Sequence, residues 1–297
     1  MNLAVIALPG AEAPAARIAA AAGRPLLRLA HRRFPDEELY LRVDDDVQGL
    51  AVAIVADLQR PDARLFGLRL LADTLRDLGA ARVGLIAPYL PYLRQDTRFQ
   101  PGEAVSSRSL GRFLSQTVDW LATVDPHLHR HASLGEVMRI PSAVVPAAPR
   151  IADWLRREVA HPVVVGPDEE SGQWVAEVAR RAGCPARVMR KERRGDRSVR
   201  VSPPPLDGLA GRTPVLLDDI VSSGHTLAEA ARALVDAGLP APVAVVVHGL
   251  LAPGAAALLG EAGLARLALC DTVPTAGGEI DVLPDLAEAA LDWVQRA

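Results

Sequence analysis

The chain has 297 residues, 49% of them hydrophobic, which suits about two domains with large cores and argues against disorder. A formal net charge of −3, a pI of about 6.2 and only 4% aromatic residues argue against a general nucleic-acid surface or a base-stacking platform. The two cysteines, Cys184 and Cys270, form no C-x-x-C pair, so neither a zinc site nor a disulfide framework is expected, and each reads as a small buried hydrophobe.

The opening MNLAVIALPG lacks a basic n-region, and its apolar run is too short for a signal peptide or a span. A cytoplasmic protein with no membrane and no nucleic-acid partner is expected. From there, short apolar runs alternate with segments of helical period, the pattern of an α/β sheet covered by helices. Strands are predicted at 3–8, 50–56, 82–87, 120–124, 163–166, 187–190, 214–217, 243–248 and 264–269. Helical spacing occupies 62–78, 107–117, 151–159, 170–182 and 227–237, with Ala-rich helical composition near 11–22 and 255–258. Three prolines, Pro141, Pro146 and Pro149, interrupt this rhythm near mid-chain. They suggest a connection, and the expected domains are 1–145 and 146–297. The halves look loosely alike, since each has an apolar strand delivering an Asp to a polar loop: Val124-Asp125 in the first, Leu217-Asp218-Asp219 in the second.

The most informative stretch is Val215-Leu216-Leu217-Asp218-Asp219-Ile220-Val221-Ser222-Ser223-Gly224-His225-Thr226. An apolar strand ends in two carboxylates, then a small hydroxylated turn, then a helix. Hydroxyls and free N–H groups at a helix N-terminus suit a phosphate, and carboxylates at a strand's carboxyl end can accept hydrogen bonds from ribose hydroxyls. Read alone, it leaves open a strand-to-helix turn with a solvated Asp pair. Five further segments join it. Phe34-Pro35-Asp36-Glu37-Glu38 follows a strand-like piece, and Arg94-Gln95-Asp96-Thr97-Arg98-Phe99-Gln100-Pro101-Gly102-Glu103 is a charged loop. Asp125-Pro126-His127-Leu128-His129 sits at a strand end. Gly166-Pro167-Asp168 closes one strand and Lys191-Glu192-Arg193-Arg194 the next.

Together and in this order, these segments resemble the ribose-phosphate pyrophosphokinases (PRPP synthetases), with wording similar to the short archaeal-type members. The resemblance runs from Phe34 to Thr226. It implies two phosphoribosyltransferase-like α/β domains related by a pseudo-twofold axis, with the active site at their junction. The implied reaction moves the β,γ-pyrophosphoryl group of ATP to the anomeric hydroxyl of ribose 5-phosphate, giving 5-phosphoribosyl 1-pyrophosphate (PRPP) and AMP, with Mg²⁺ as cofactor. Carried over residue by residue, His127 and Asp168 match metal positions, with Asp125 beside the first. Lys191 and Arg193 match the cations that stabilise the transferring group, and Gly195-Asp196-Arg197-Ser198 reads as a mobile loop beside them. Asp218 and Asp219 match the ribose-hydroxyl binders, and Ser222, Ser223, Gly224, His225 and Thr226 the 5-phosphate loop. Arg94 and Gln95 match the ATP-site loop, which Asp96 would fix. Phe34 and Glu38 match a segment that completes the adenine pocket from a neighbouring subunit, so a homo-oligomer, dimer or higher, is expected.

The residues alone leave plainer readings open. His127 suits a strand-end histidine bonded to backbone, Asp168 a helix N-cap, Lys191 and Arg193 a solvated basic hairpin, and Phe34 core. The chain also departs from the family's pattern. His225 stands where glycine is usual, Ser222-Ser223 replaces a more usual pair, and Glu169-Glu170-Ser171-Gly172 replaces a Gly-rich turn after Asp168. A histidine at a position needing positive φ would cost stability. Two other classes remain in view: a catalytically silent regulatory relative, and a phosphoribosyltransferase that consumes PRPP, since the Asp218 loop is shared with that group.

Overall fold

The computed structural model describes residues 2–168, 171–194, 198–202, 207, 209–274 and 278–296, with side chains outside the description at 190–194 and 198–202. The chain divides into two compact units, Met1–Val145 with Val282–Ala297, and Pro146–Asp281.

In the first unit the elements run β1 (Leu3–Ala7), α1 (Glu12–Ala22), β2 (Leu26–Leu27), β3 (Leu29–Arg33), β4 (Leu39–Val43), β5 (Ala51–Val55), α2 (Asp62–Asp77), β6 (Arg82–Ile86), α3 (Ser106–Thr117), β7 (Trp120–Val124) and β8 (Ser142–Val145). The second unit begins with α4 (Ala148–Glu158) and continues with β9 (Pro162–Gly166), α5 (Gly172–Ala182), β10 (Ala186–Val188), β11 (Arg190–Arg194), β12 (Ser198–Ser202), β13 (Thr213–Val221), α6 (His225–Asp236), β14 (Val243–Gly249), α7 (Ala255–Glu261), β15 (Arg266–Cys270) and β16 (Gly278–Ile280). The last helix, α8 (Leu283–Arg296), returns to the first unit. That corrects the assignment of 146–297 to a single second domain.

Each unit is built on a six-stranded parallel sheet, ordered β2-β1-β5-β6-β7-β8 in the first and β10-β9-β13-β14-β15-β16 in the second. Central strands such as Ala51–Val55 and Val243–Gly249 are buried along their whole length, so they read as continuous apolar runs rather than alternating ones. Between the second and third sheet strands each unit carries a two-stranded antiparallel ribbon, β3–β4 or β11–β12. The two sheets therefore correspond strand for strand. The counterpart of β13 is β5, and since Ile54 pairs with Ile6 as Leu216 pairs with Val165, Asp57, two residues beyond β5, corresponds to Asp219. Asp125 follows β7, whose counterpart is β15, so the loose likeness between Asp125 and Asp218 does not survive the topology.

The segment expected to be a connection contains a strand. Ser142–Val145 pairs in parallel with β7, Val124 opposite Val145, with Pro141 and Pro146 just outside it. Cys270 is buried as expected, whereas Cys184 is half-buried, its thiol pushed up chiefly by burial.

Candidate active site

In the second unit the site grows from the parallel pairing of β9 and β13. Val165 lies opposite Leu216, so Asp168, two residues past β9, emerges beside Asp218 and Asp219 at the carboxyl edge of the sheet. Val215, Leu216 and Leu217 are fully buried, which drives the strand into the core and leaves the acidic pair at the rim. Asp218 is half-buried, and its carboxyl is pushed up to about 8. Desolvation is the largest cause, followed by the charge of Asp219, and Asp168 adds to it; the Asp219 backbone N–H, 3.0 Å from Asp218 Oδ1, offsets part. Asp168 also serves the following turn, its Oδ1 accepting from the Ser171 N–H at 3.3 Å while the Ser171 hydroxyl donates to its carbonyl at 2.6 Å.

The turn after β13 is pinned where the Leu250 N–H meets the Val221 carbonyl at 2.8 Å and the Ala252 N–H meets the Ser222 carbonyl at 3.1 Å. Gly224 takes the positive φ, 81°, and α6 begins at His225 with no side chain capping it. The N–H groups of its first turn thus have no capping side chain, the arrangement that receives an anion. His225 is helical and is absent from the positive-φ residues among those described, so the feared strain falls on Gly224 instead. Ser222 is half-buried; Ser223, His225 and Thr226 are exposed. On the ribbon, Lys191 lies opposite Val201 and Arg193 opposite Val199. Residues 169–170 and 195–197, which hold the departed turn and most of the expected mobile loop, lie outside the described residues.

In the first unit, Asp125 follows β7 with φ 28°, a conformation side chains seldom adopt, and its N–H donates to the Val145 carbonyl at 3.2 Å. His127 is half-buried and its ring lies 3.9 Å from that of His129. The loop carrying Arg94 and Gln95 is held from both ends. The Ser106 hydroxyl donates to the Tyr92 carbonyl at 2.8 Å, and Glu103 Oε2 accepts from the Phe99 and Gln100 N–H groups at 2.8 and 3.0 Å. Arg94 is exposed, whereas Asp96 is buried and receives a 2.8 Å hydrogen bond from Arg130 Nη1. Asp96 is therefore a structural acceptor inside the loop. Sequence reasoning missed Arg130, whose only signal was a basic residue three positions past His127.

Phe34 and Glu38 close the β3–β4 ribbon, where the Phe34 N–H donates to the Glu38 carbonyl at 2.9 Å. Phe34 is 37% exposed, edge-on to Tyr40 and 4.3 Å beneath the Arg32 guanidinium. It is a surface aromatic, not core.

The donor chemistry suits a hard cation that keeps its own water. Among the described residues no three His, Cys, Asp or Glu side chains converge into a metal cage. Mg²⁺ characteristically takes one or two carboxylates and completes its shell with phosphate oxygens and water, and the acidic rim of Asp168, Asp218 and Asp219 fits that pattern. Among the described residues no helix is long and apolar enough to cross a membrane.

Two parallel-sheet units, one carrying an acidic strand end beside an uncapped helix start, define a protein of the phosphoribosyltransferase class. Residues 141–250 match the phosphoribosyl transferase domain, and residues 3–117 match the N-terminal domain of ribose phosphate pyrophosphokinase. The chain is 38% identical to the ribose-phosphate pyrophosphokinase of Methanopyrus kandleri over 86% of its own length and 88% of that protein. It is 36% identical to the enzyme of the same name from Halobacterium salinarum over 93% and 96%. The fold matches the crystal structure of phosphoribosylpyrophosphate synthetase from Mycobacterium smegmatis with a TM-score of 0.84 over 100% of both chains, at 24% identity. The chain belongs to the ribose-phosphate pyrophosphokinase family.

Proposed function

We propose that the protein transfers the β,γ-pyrophosphoryl group of ATP to the anomeric hydroxyl of ribose 5-phosphate, releasing AMP and PRPP. The observation that carries this reading is the β13–α6 turn, where an acidic pair lies beside a helix start whose N–H groups no side chain caps. Ser222, Ser223, Gly224, His225 and Thr226 cradle the 5-phosphate. Asp218 and Asp219 accept hydrogen bonds from the ribose hydroxyls and so orient the anomeric oxygen. That oxygen bonds to the β-phosphorus as the bridge to the α-phosphorus breaks and AMP leaves with the bridging oxygen.

Asp168 and His127, with Asp125 beside it, would hold Mg²⁺, which supplies neutralisation of the polyphosphate oxygens. A histidine is a soft choice for this ion, so His127 would act at least partly through a bound water. Lys191 and Arg193 meet the negative charge that spreads over the transferring group, where fixed cations act most strongly. Arg94 stacks its guanidinium on adenine, Gln95 bonds the same ring, and Asp96 fixes their loop. Phe34 and Glu38 complete the adenine pocket of a neighbouring subunit in a cytoplasmic homo-oligomer, a reading supported by the exposed Phe34 and by Phe66, 70% exposed on α2.

Purified protein with ATP, Mg²⁺ and ribose 5-phosphate should form AMP and PRPP in equal amounts, and chelation should stop it. Lys191→Ala should lower kcat by about 10²- to 10³-fold with a far smaller effect on KM. PRPP consumed in the presence of a nucleobase, with none formed from ATP, would overturn the assignment.

A further inference from the structure

Asp96 is among the few buried acidic side chains, 7% exposed, and Arg130 meets it from a different loop. Asp96 lies next to Arg94 and Gln95, between β6 and α3. Arg130 lies three residues past His127, after β7. The Arg130 guanidinium also stands 5.4 Å over the Phe99 ring, so it grips the first loop at two points. Other side-chain bonds of that loop run from the Tyr92 hydroxyl to Asp62 of α2 and, locally, from Glu103 to Phe99 and Gln100; none of these touches the His127 segment. An exposed pair such as Arg42 and Asp44 contributes little, whereas a buried carboxylate deprived of its cation is left with an uncompensated charge.

We propose that Arg130 is a positioning residue for the nucleotide. Through Asp96 and Phe99 it holds the Arg94–Gln95 loop in fixed register with the His127 segment, so that the adenine side of the site is set before ATP arrives. The proposal rests on the reading of Arg94 and Gln95 as ATP contacts. It predicts a split that a merely structural role would not produce. Loss of the tie loosens ATP and leaves the ribose 5-phosphate turn, built on β13 and α6, untouched.

The test compares Arg130→Met, Arg130→Lys, Asp96→Asn and the double variant Asp96→Asn/Arg130→Met with the unaltered protein. Steady-state kinetics give both KM values, and calorimetry with Mg²⁺ and ATP in the absence of acceptor gives nucleotide binding without turnover. Arg130→Met should weaken ATP by about tenfold or more by both measures while the KM for ribose 5-phosphate moves less than about twofold. Arg130→Lys should recover part of the loss. The double variant, which removes the stranded charge together with its partner, should bind ATP no more weakly than either single one. If Arg130→Met fails to fold, the lysine and double variants carry the comparison. Equal shifts in both KM values, unchanged ATP binding, or additive losses in the double variant would each overturn the proposal. Failure of the unaltered protein to form PRPP and AMP would instead overturn the functional reading, which the same experiment measures first.

Discussion

At the scale of single residues, the two units treat the carboxylates at the ends of corresponding strands in opposite ways. Asp57, at the end of β5, is 5% exposed and compensated: Arg64 Nη1 lies 2.5 Å from Oδ2, and the Gln59 N–H and Nε2 each donate at 3.0 Å. Asp218, near the end of the corresponding strand β13, instead faces Asp219 and Asp168, and its carboxyl is pushed up to about 8. A carboxyl near 3.8 when unfolded and near 8 when folded makes the native state bind more protons across that window. Its contribution to stability is therefore full below about pH 4 and is lost as pH rises toward 8. Asp218→Asn removes this penalty. In chelator and without substrate, the variant should melt above the unaltered protein at pH 8.5, with the gain vanishing near pH 4. A Tm difference that stays constant across that range would contradict the account. On the proposed reading, a cation and a bound ribose would relieve this penalty.

At the scale of elements, one close approach shows how tightly the first unit is packed. A Cβ on Gly84 of β6 would fall 1.8 Å from Trp120 Cε2, and Trp120 stacks on Trp293 of α8 with ring centroids 4.9 Å apart. Gly84→Ala should destabilise the protein by about 1–3 kcal/mol or more through overpacking, and Trp120→Leu in the same chain should recover part of that loss. Chemical denaturation monitored by tryptophan fluorescence checks both; an alanine variant as stable as the parent would show that Trp120 can step aside. The central strands were readable in the sequence because burial on both faces leaves apolar runs such as Ala51–Val55. The ribbons were not, because Leu29–Arg33 is largely solvent-exposed and carries His31, Arg32 and Arg33, with no apolar face to set a period. Ser142–Val145 was masked by its bracketing prolines, although Pro141 needs only its carbonyl, which accepts from the Leu121 N–H at 3.1 Å. The site followed the same rule. Asp218 announces itself by ending an apolar run, whereas Arg130 meets Asp96 across a loop-to-loop approach that no local pattern encodes.

At the scale of the molecule, the two units exchange their flanking helices. The helix after β8, α4, packs on α5 and β16 in the second unit; the helix after β16, α8, packs on α1, β7 and β8 in the first. Since α5 corresponds to α1 and β16 to β8, the two helices fill the same niche. Their sequences agree: Asp153-Trp154-Leu155 in α4 matches Asp292-Trp293-Val294 in α8. The tryptophans also meet corresponding residues, Trp154 lying 4.8 Å from the Arg266 guanidinium at the start of β15 and Trp293 stacking on Trp120 at the start of β7. Each helix is thus cut from the unit that precedes it in sequence and delivered to the other, with unequal consequences for autonomy. Residues 146–281 carry their own flanking helix, whereas residues 1–145 lack theirs and would expose the surface that Leu283, Leu286, Ala287, Ala290 and Val294 cover. A fragment of 146–281 should therefore melt cooperatively by itself. A fragment of 1–145 should show a broad, non-cooperative transition, because burial rather than helix propensity supplies most of the stability of such a packed face. Adding a peptide of residues 282–297 should restore a sharp transition with a Tm that rises with peptide concentration, and the same peptide bearing Trp293→Ala should do so poorly. Circular dichroism melts at several peptide concentrations decide it. A 1–145 fragment that unfolds as sharply alone as with the peptide would mean that the exchanged helix is an ornament of the first unit rather than part of its core.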